Sequence, residues 1–587
     1  MSEPFRHSSQ PPAPGRLPVR ETGRYELYPS SRIPYGKIEL GFQALAERLA
    51  GQGCIACDGY AGVLWQDFRR KLDESLRRHG LTASWIDLSR ALKSEADLER
   101  MLAPFVGSDD PLFGRRCTRN LADFFDLERL AALQRAQGGA LTIWYGPGAA
   151  LAAPDAFLVY VDLPKNELQY RARAGAIANL GLRRPLPPKA AYRRSYFVDW
   201  PVLNAHKSEL ARRAGIVVDA QRPDEPALIA GDELRAALAA LAVSSFRVRP
   251  WFEPGPWGGQ WCARHVPDLP AAPNYAWSFE LITPENGLLL RDGERLMEVS
   301  FDWLMYLHAS EVLGRHAARF GQEFPLRFDF LDTVAGGNLS IQVHPSGEYV
   351  EREFGEVLGQ DESYYILDAA PGARVHLGFQ ENIEPGEFRA ALERSASRSA
   401  PLEVERWVQS HPARKHDLFL IPHGTIHGSG VGNLVLEISS TPYIFTFKLY
   451  DWLRPDLDGR PRPLNLERGM QSLDFSRAGS RVAAELVSRP RLLGRGADWS
   501  LEHLPTHRDQ YYDVLRHRFA SAVRASTDEG PQVLSLVEGT AVALQTPQGE
   551  ARVFHYAETF VVPAAAQSLR LVNLGPSPAV VIAARLK

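Results

Sequence analysis

The sequence predicts a multidomain chain: an N-terminal α/β domain followed by two β-sandwich domains with helical insertions. Three observations carry this. Up to about residue 244, short apolar runs alternate with amphipathic helical text, the pattern of a parallel sheet covered by helices. From about 250 to 460 strands dominate, in text rich in Pro and Trp, and after about 530 short strands recur at regular spacing with turn signals between them. The length of 587 residues also exceeds one domain, and a typical domain length gives roughly three or four units.

Composition narrows the function classes. A hydrophobic content of 45% and a charged content of 23% are ordinary for a soluble globular protein. The net charge of -3 supplies no electrostatic drive toward nucleic acid or an anionic membrane, which leaves small molecules as the expected partners. Cys54, Cys57, Cys117 and Cys262 are too few for a disulfide framework in a chain of this size. The start, Met1-Ser-Glu-Pro-Phe-Arg-His7, has no basic segment followed by an apolar run, and no stretch offers about twenty uninterrupted apolar residues. A cytoplasmic enzyme is expected, with its oligomeric state left open.

Residues 1–22 carry Pro4, Pro11, Pro12, Pro14 and Pro18 among polar residues and are expected to form a flexible tail. The α/β domain spans 23–244. A helix from Ile38 stops at Gly51–Gly53, and Cys54-Ile-Ala-Cys57 follows as a buried strand. Cys54 and Cys57 have no second Cys pair or His cluster nearby, so they are assigned to the core rather than to a metal or redox site. Ala140–Tyr145 and Ala156–Asp162 are two further buried parallel strands, with helical text such as Asp126–Gln137 between them.

After the first strand, Asp58-Gly-Tyr-Ala-Gly-Val-Leu-Trp65 leads into an amphipathic helix, Gln66–His79. A glycine turn between strand and helix is where free N–H groups and the helix dipole attract phosphate. The order resembles the phosphate loop of nucleoside or uridine kinases, and Asp162–Arg173 with Tyr192–Trp200 resembles their Arg-bearing lid. Val63-Leu64-Trp65 replaces the Gly-Lys-Ser/Thr signature, so the resemblance implies a degenerate P-loop-kinase-like scaffold.

The central domain, 245–470, contains the residues that best indicate chemistry. In Asn338-Leu-Ser-Ile-Gln-Val-His-Pro345, Gln342 and His344 lie two apart on a strand and so point to one face. With Glu362 and with His427 of Ile421-Pro-His-Gly-Thr-Ile-His427 they make an N/O ligand set suited to Zn²⁺ or a similar divalent metal. Helices near Phe301–Arg315 and Gly386–Ser395 interrupt the strands. The C-terminal domain, 471–587, is all-β, and where the centre has its His-bearing turn it has Pro563-Ala-Ala-Ala-Gln-Ser568, so no metal site is expected there.

Trp257-Gly-Gly259, Leu339–Pro345, Asp361–Asp368, Pro371-Gly-Ala373, Gly378, Pro422–His427, Leu436-Glu437, Tyr450-Asp-Trp452 and Pro461–Leu464 resemble, in order, the type I mannose-6-phosphate isomerases, whose domains are jelly rolls of the cupin kind. The resemblance covers about residues 250–470 and continues weakly into a second cupin. It implies one zinc held by Gln342, His344, Glu362 and His427, with His423 and His376 as weaker competitors. It implies an aldose–ketose isomerase acting on mannose 6-phosphate and fructose 6-phosphate through a cis-enediol, with Glu437 and Lys448 lining the catalytic site. Three cations of the family differ: Asp329 and Gln360 stand where it shows Lys, and Lys448 where it shows Arg. Arg327, Arg374 or Arg454 are the candidates to replace them as phosphate partners. The alternatives are a different or unphosphorylated sugar, a bifunctional kinase–isomerase, and a non-catalytic sugar sensor.

Overall fold

The computed structural model describes residues 5–19, 23–107, 112–135, 139–283, 285–398, 400–440, 442, 444–455, 459 and 462–587. The chain divides into two compact units, one built from 1–20, 28–242 and 284–309, the other from 21–27, 243–283 and 310–587.

The first unit is organised on a seven-stranded sheet. Its strands are β1 (Glu39–Leu40), β2 (Cys54–Gly59), β3 (Ser84–Asp87), β4 (Thr142–Tyr145), β5 (Phe157–Asp162), β6 (Ile216–Asp219) and β7 (Ala227–Ala230), in the order β1-β7-β6-β5-β2-β4-β3. β2 to β6 run parallel, and β1 and β7 join antiparallel at one edge. The near-continuous apolar text of β2, β5 and β6 follows from helices covering both faces of a parallel sheet. Cys57 is fully buried in β2, where burial pushes its thiol up, and both it and Cys54 are free.

Two expectations for this unit change. Residues 5–19 are packed rather than loose: Arg6 is buried against Glu167 at 2.9 Å, and Ala13 is fully enclosed with its N–H to Gln221 Oε1. Composition measures only apolar area, and so misses the ion pair that helps to order this segment. The acidic end of β2 is likewise committed to the protein. The Asp58 carboxylate accepts the N–H groups of Gly59, Gly148 and Ala150 and pairs with His206 Nε2 at 2.8 Å. Arg171 is fully buried, bonded to Glu167 and to the carbonyls of Gly62 and Ala220, and Arg194 is spent on Asp199 and Leu180 O. These arginines hold the scaffold together instead of facing an anion.

The segment 284–309, expected within the central domain, clusters with the first unit, where Gly287–Asp292 and Arg295–Ser300 form a hairpin beside Ser30–Arg32. Near it Lys207 is fully buried between Asp162 (2.8 Å) and Asp302 (2.5 Å), with Lys165 on the other oxygen of Asp302. Each charge taken out of water here is matched by an opposite one, as burial requires.

The second unit contains two antiparallel sandwiches. The strands of the first are β8 (Trp251–Glu253), β9 (Trp277–Leu281), β10 (Leu326–Asp332), β11 (Ile341–Val343), β12 (Glu362–Ala369), β13 (Arg374–Phe379), β14 (Val408–Pro412), β15 (Leu418–Ile421), β16 (His427–Ser429), β17 (Asn433–Ser440) and β18 (Phe447–Tyr450). They form a six-stranded sheet, β15-β12-β17-β10-β9-β8, and a five-stranded sheet, β14-β13-β16-β11-β18. The inner faces meet in a core of Leu331, Tyr364, Ile366, Val375, Leu377, Phe419, Ile421 and Val435. The second sandwich, of strands between Arg491 and Leu586, packs its own core around Phe519, Leu534, Phe560 and Leu571.

Candidate metal centre

The register of the first sandwich decides which side chains share its interior. Asp329 lies opposite Glu437, Glu437 opposite Tyr364, and Arg327 opposite Ser439. Because alternate residues on a strand face one way, Arg327, Asp329, Glu362 and Glu437 point inward with the core residues Leu331 and Val435. On the facing sheet Gln342 pairs with His427 on one side and with Lys448 on the other, which puts all three on one face. One end of the interior is therefore polar and the other apolar.

At the polar end the residues singled out from the sequence converge. His344 Nε2 stands 3.0 Å from Glu362 Oε1, His427 Nε2 3.4 Å from Glu362 Oε2, and Gln342 Nε2 3.2 Å from His427 Nε2. All four are buried, and one ligand atom from each of His344, Glu362 and His427 falls within 4.8 Å of the others. The backbone sets the imidazoles for coordination. His344 Nδ1 lies 3.1 Å from Phe445 O and His427 Nδ1 2.9 Å from Thr425 O. A carbonyl can only accept, so each Nδ1 carries the proton and each Nε2 turns a lone pair inward. His344 Nε2 and Glu362 Oε2 are buried without a hydrogen-bond partner in the protein, which fits atoms that can ligate a cation. Gln342 Oε1 accepts from Ser340 Oγ at 2.9 Å; rotating the amide by half a turn presents that oxygen to the same point.

The turn that carries His427 has its own supports. Gly424 adopts a φ of +82°, which favours glycine, and its N–H reaches His344 O at 2.8 Å. Arg477 donates to Pro422 O at 2.8 Å and also to His423 O and Thr425 Oγ1, bracing the turn from the chain that follows the sandwich. Gln510 donates to Glu362 O at 2.5 Å. Neither residue was singled out from the sequence, since both sit far along the chain without a motif.

Three carboxylates crowd the polar end. Arg327 bonds Glu437 directly and lies 3.3 Å from Asp329 and 3.5 Å from Glu362. Burial, with Asp329 and Glu362 adding to it, pushes the Glu437 carboxyl well up. Burial and Glu362 bring Asp329 to about 7 despite Arg327 beside it. Burial would also raise Glu362, but where the two imidazoles are protonated on Nε2 as well they outweigh it and hold that carboxyl well below the usual range. Arg327 is thus committed to the carboxylates. Of the other proposed phosphate partners, Arg374 is tied to Ser410 and Arg454 to Asp451. Gln360 donates to Glu362 Oε1 at 2.6 Å.

The competing histidines lie elsewhere. His423 Nδ1 and its backbone N–H both meet Asp361 Oδ1, and that bond raises the imidazole pKa. His376 alternates with the core residues Val375 and Leu377, so it points to the outer face of the sheet. Pro461 of the expected Pro461–Leu464 motif lies outside the described residues.

Comparison with known proteins gives two kinds of likeness. Residues 41–243 match a family described as a domain of unknown function, DUF8485, and that match lends no support to a kinase. Mannose-6-phosphate isomerase ManA of Bacillus subtilis is 31% identical over 169 residues, 28% of this chain and 50% of the relative. Mannose-6-phosphate isomerase of Streptococcus mutans is 29% identical over 178 residues, 30% of this chain and 53% of the relative. The chain spans about half the length of these curated relatives. A crystal structure of mannose 6-phosphate isomerase from Bacillus subtilis aligns with 58% of this chain and 100% of its own, at 19% identity and a TM-score of 0.49. The chain is therefore distantly related to mannose-6-phosphate isomerases over part of its length.

Proposed function

We propose that this protein is a metal-dependent aldose–ketose isomerase that interconverts mannose 6-phosphate and fructose 6-phosphate. The observation that carries the reading is the convergence of His344, Glu362 and His427, with both Nδ1 atoms spent on backbone carbonyls. Two imidazole nitrogens, a carboxylate and the Gln342 amide are a donor set that suits Zn²⁺. A divalent ion held by them would polarise and order the hydroxyl and carbonyl oxygens of an open-chain sugar. The chain's own part is the proton. Glu437, as the carboxylate, takes a proton from C2 of the aldose and returns it to C1 of the cis-enediol while the O2 proton passes to O1. Burial and the neighbouring acids raise its affinity for that proton. Lys448, on the face shared with Gln342 and His427, lines the same end.

A second reading, an unphosphorylated sugar as substrate, is favoured by one observation. Arg327, Arg374 and Arg454, the cations that were to replace the lost lysines, are bound to groups of the protein. Zinc-loaded protein incubated with fructose 6-phosphate and, separately, with mannose separates the readings by proton NMR. Mannose 6-phosphate formed from the first supports the main proposal. Turnover of mannose alone replaces it with the second, and turnover of neither refutes both.

A further inference from the structure

On the outer face of the five-stranded sheet, away from the metal ligands, His376 stands in register with Ser410 on β14 and with Gly428 on β16. The ring lines an open groove of about 560 Å³ that Gly430 also borders. Trp452 forms one wall. Arg374 and the segment bearing Glu403, Glu405 and Arg406 complete it.

Three features mark the groove as built for a ligand. First, His376 is only 6% exposed, yet its Nδ1 has no hydrogen-bond partner although the ring lines the groove. A buried polar atom left unpaired is costly unless something else satisfies it. Second, Arg374 is a fixed wall rather than a free cation: its Nε donates to Ser410 Oγ at 2.6 Å and one terminal nitrogen to Ser410 O at 2.5 Å. Third, Trp452 and the following Leu453 both have a φ of +56°, a left-handed conformation that side chains rarely adopt. Such strain persists where the surroundings impose it, and it gathers at ligand clamps. Here Asp451 is held between Arg454 (2.6 Å) and Arg462 (2.8 Å), and the Trp452 indole N–H is bonded to Leu339 O.

The chemistry of the lining indicates the occupant. Two arginines and two glutamates cancel in charge, so an ion of either sign gains little. Planar donors and acceptors arranged beside an indole suit hydroxyl groups, each of which donates and accepts, and the weakly polar C–H face of a sugar packs on the aromatic wall. We propose that this groove is a saccharide-binding site distinct from the metal centre, taking a neutral sugar in its closed-ring form. The proposal does not depend on the isomerase reading, because no residue of the groove is a proposed metal ligand.

The test uses the full chain treated with chelator and a panel of methyl glycosides of glucose, mannose, galactose and xylose, whose locked rings cannot enter an aldose–ketose isomerisation. Calorimetry is expected to find saturable binding of at least one. That affinity should fall about fivefold or more in Glu405→Ala, an exposed position that leaves the fold intact, and in His376→Phe, in keeping with the loss of a hydrogen bond in each. It should be unchanged in His344→Ala. Absence of saturable binding across the panel, binding that both groove variants leave unaltered, or preferential saturation by inorganic phosphate or citrate would each overturn the proposal.

Discussion

Asp329→Asn should make the metal-free protein more stable at alkaline pH, although it removes a partner of Arg327. Asp329 is buried opposite Glu437, in a cluster where one guanidinium serves three carboxylates. Its carboxyl is pushed up to about 7, against about 3.9 in an unfolded chain. Between those two values the folded state holds the proton that the unfolded state has released, so stability falls as pH rises through the interval. Once Asp329 ionises the full cost is ~4 kcal/mol, from ~3 units at ~1.4 kcal/mol each. Asparagine keeps an oxygen for the Arg327 N–H and cannot ionise, and Arg327 still has Glu437 and Glu362. In chelator, urea unfolding followed by tryptophan fluorescence should show the variant ahead of the wild type by up to ~4 kcal/mol at pH 8. The gap should narrow to ~1.5 kcal/mol near pH 5. Equal pH slopes in the two proteins, or a variant weaker than wild type at pH 8, would refute the electrostatic reasoning.

Other consequences concern the ligand turn and the first unit. His427→Ala should abolish stoichiometric zinc uptake measured by plasma emission, together with any isomerase turnover; zinc retained at one per chain would remove His427 from the ligand set. Arg477→Ala frees the carbonyls of Pro422 and His423, so zinc affinity in a chelator competition should weaken by about 10- to 100-fold, the usual effect of losing an outer support. Gly424→Ala must hold a φ of +82° with a Cβ placed 3.2 Å from that of Asp474. A loss of ~1–2 kcal/mol in urea unfolding is expected, and no loss would mean that the turn relaxes freely. Lys207→Met takes the paired cation from Asp162 and leaves Asp302 with Lys165, and should cost ~3–5 kcal/mol, read as lost hydrogen-exchange protection in β5.

What could be read from the amino-acid order was local. The apolar runs of β2, β4 and β5 announced a buried parallel sheet, because a strand covered on both faces must be apolar at every position. Gln342 and His344 could be assigned to one face from alternation alone, and the Pro422–His427 turn named its own histidine. Tertiary structure decided how distant faces meet. Only the register that sets Asp329 against Glu437 and Gln342 against His427 shows Arg327 enclosed by acids, and a shift of one residue would have sent it outward. Arg6, Arg171 and Arg194 looked like charges meant for a ligand or for solvent, since burial of an arginine depends on a carboxylate or carbonyl far along the chain. His376 was a candidate ligand by residue type, and the neighbours that turned it outward, Val375 and Leu377, act through a core built from other strands. Alternation and turn chemistry are written within a few residues; charge compensation and strand pairing exist only once the chain has closed on itself.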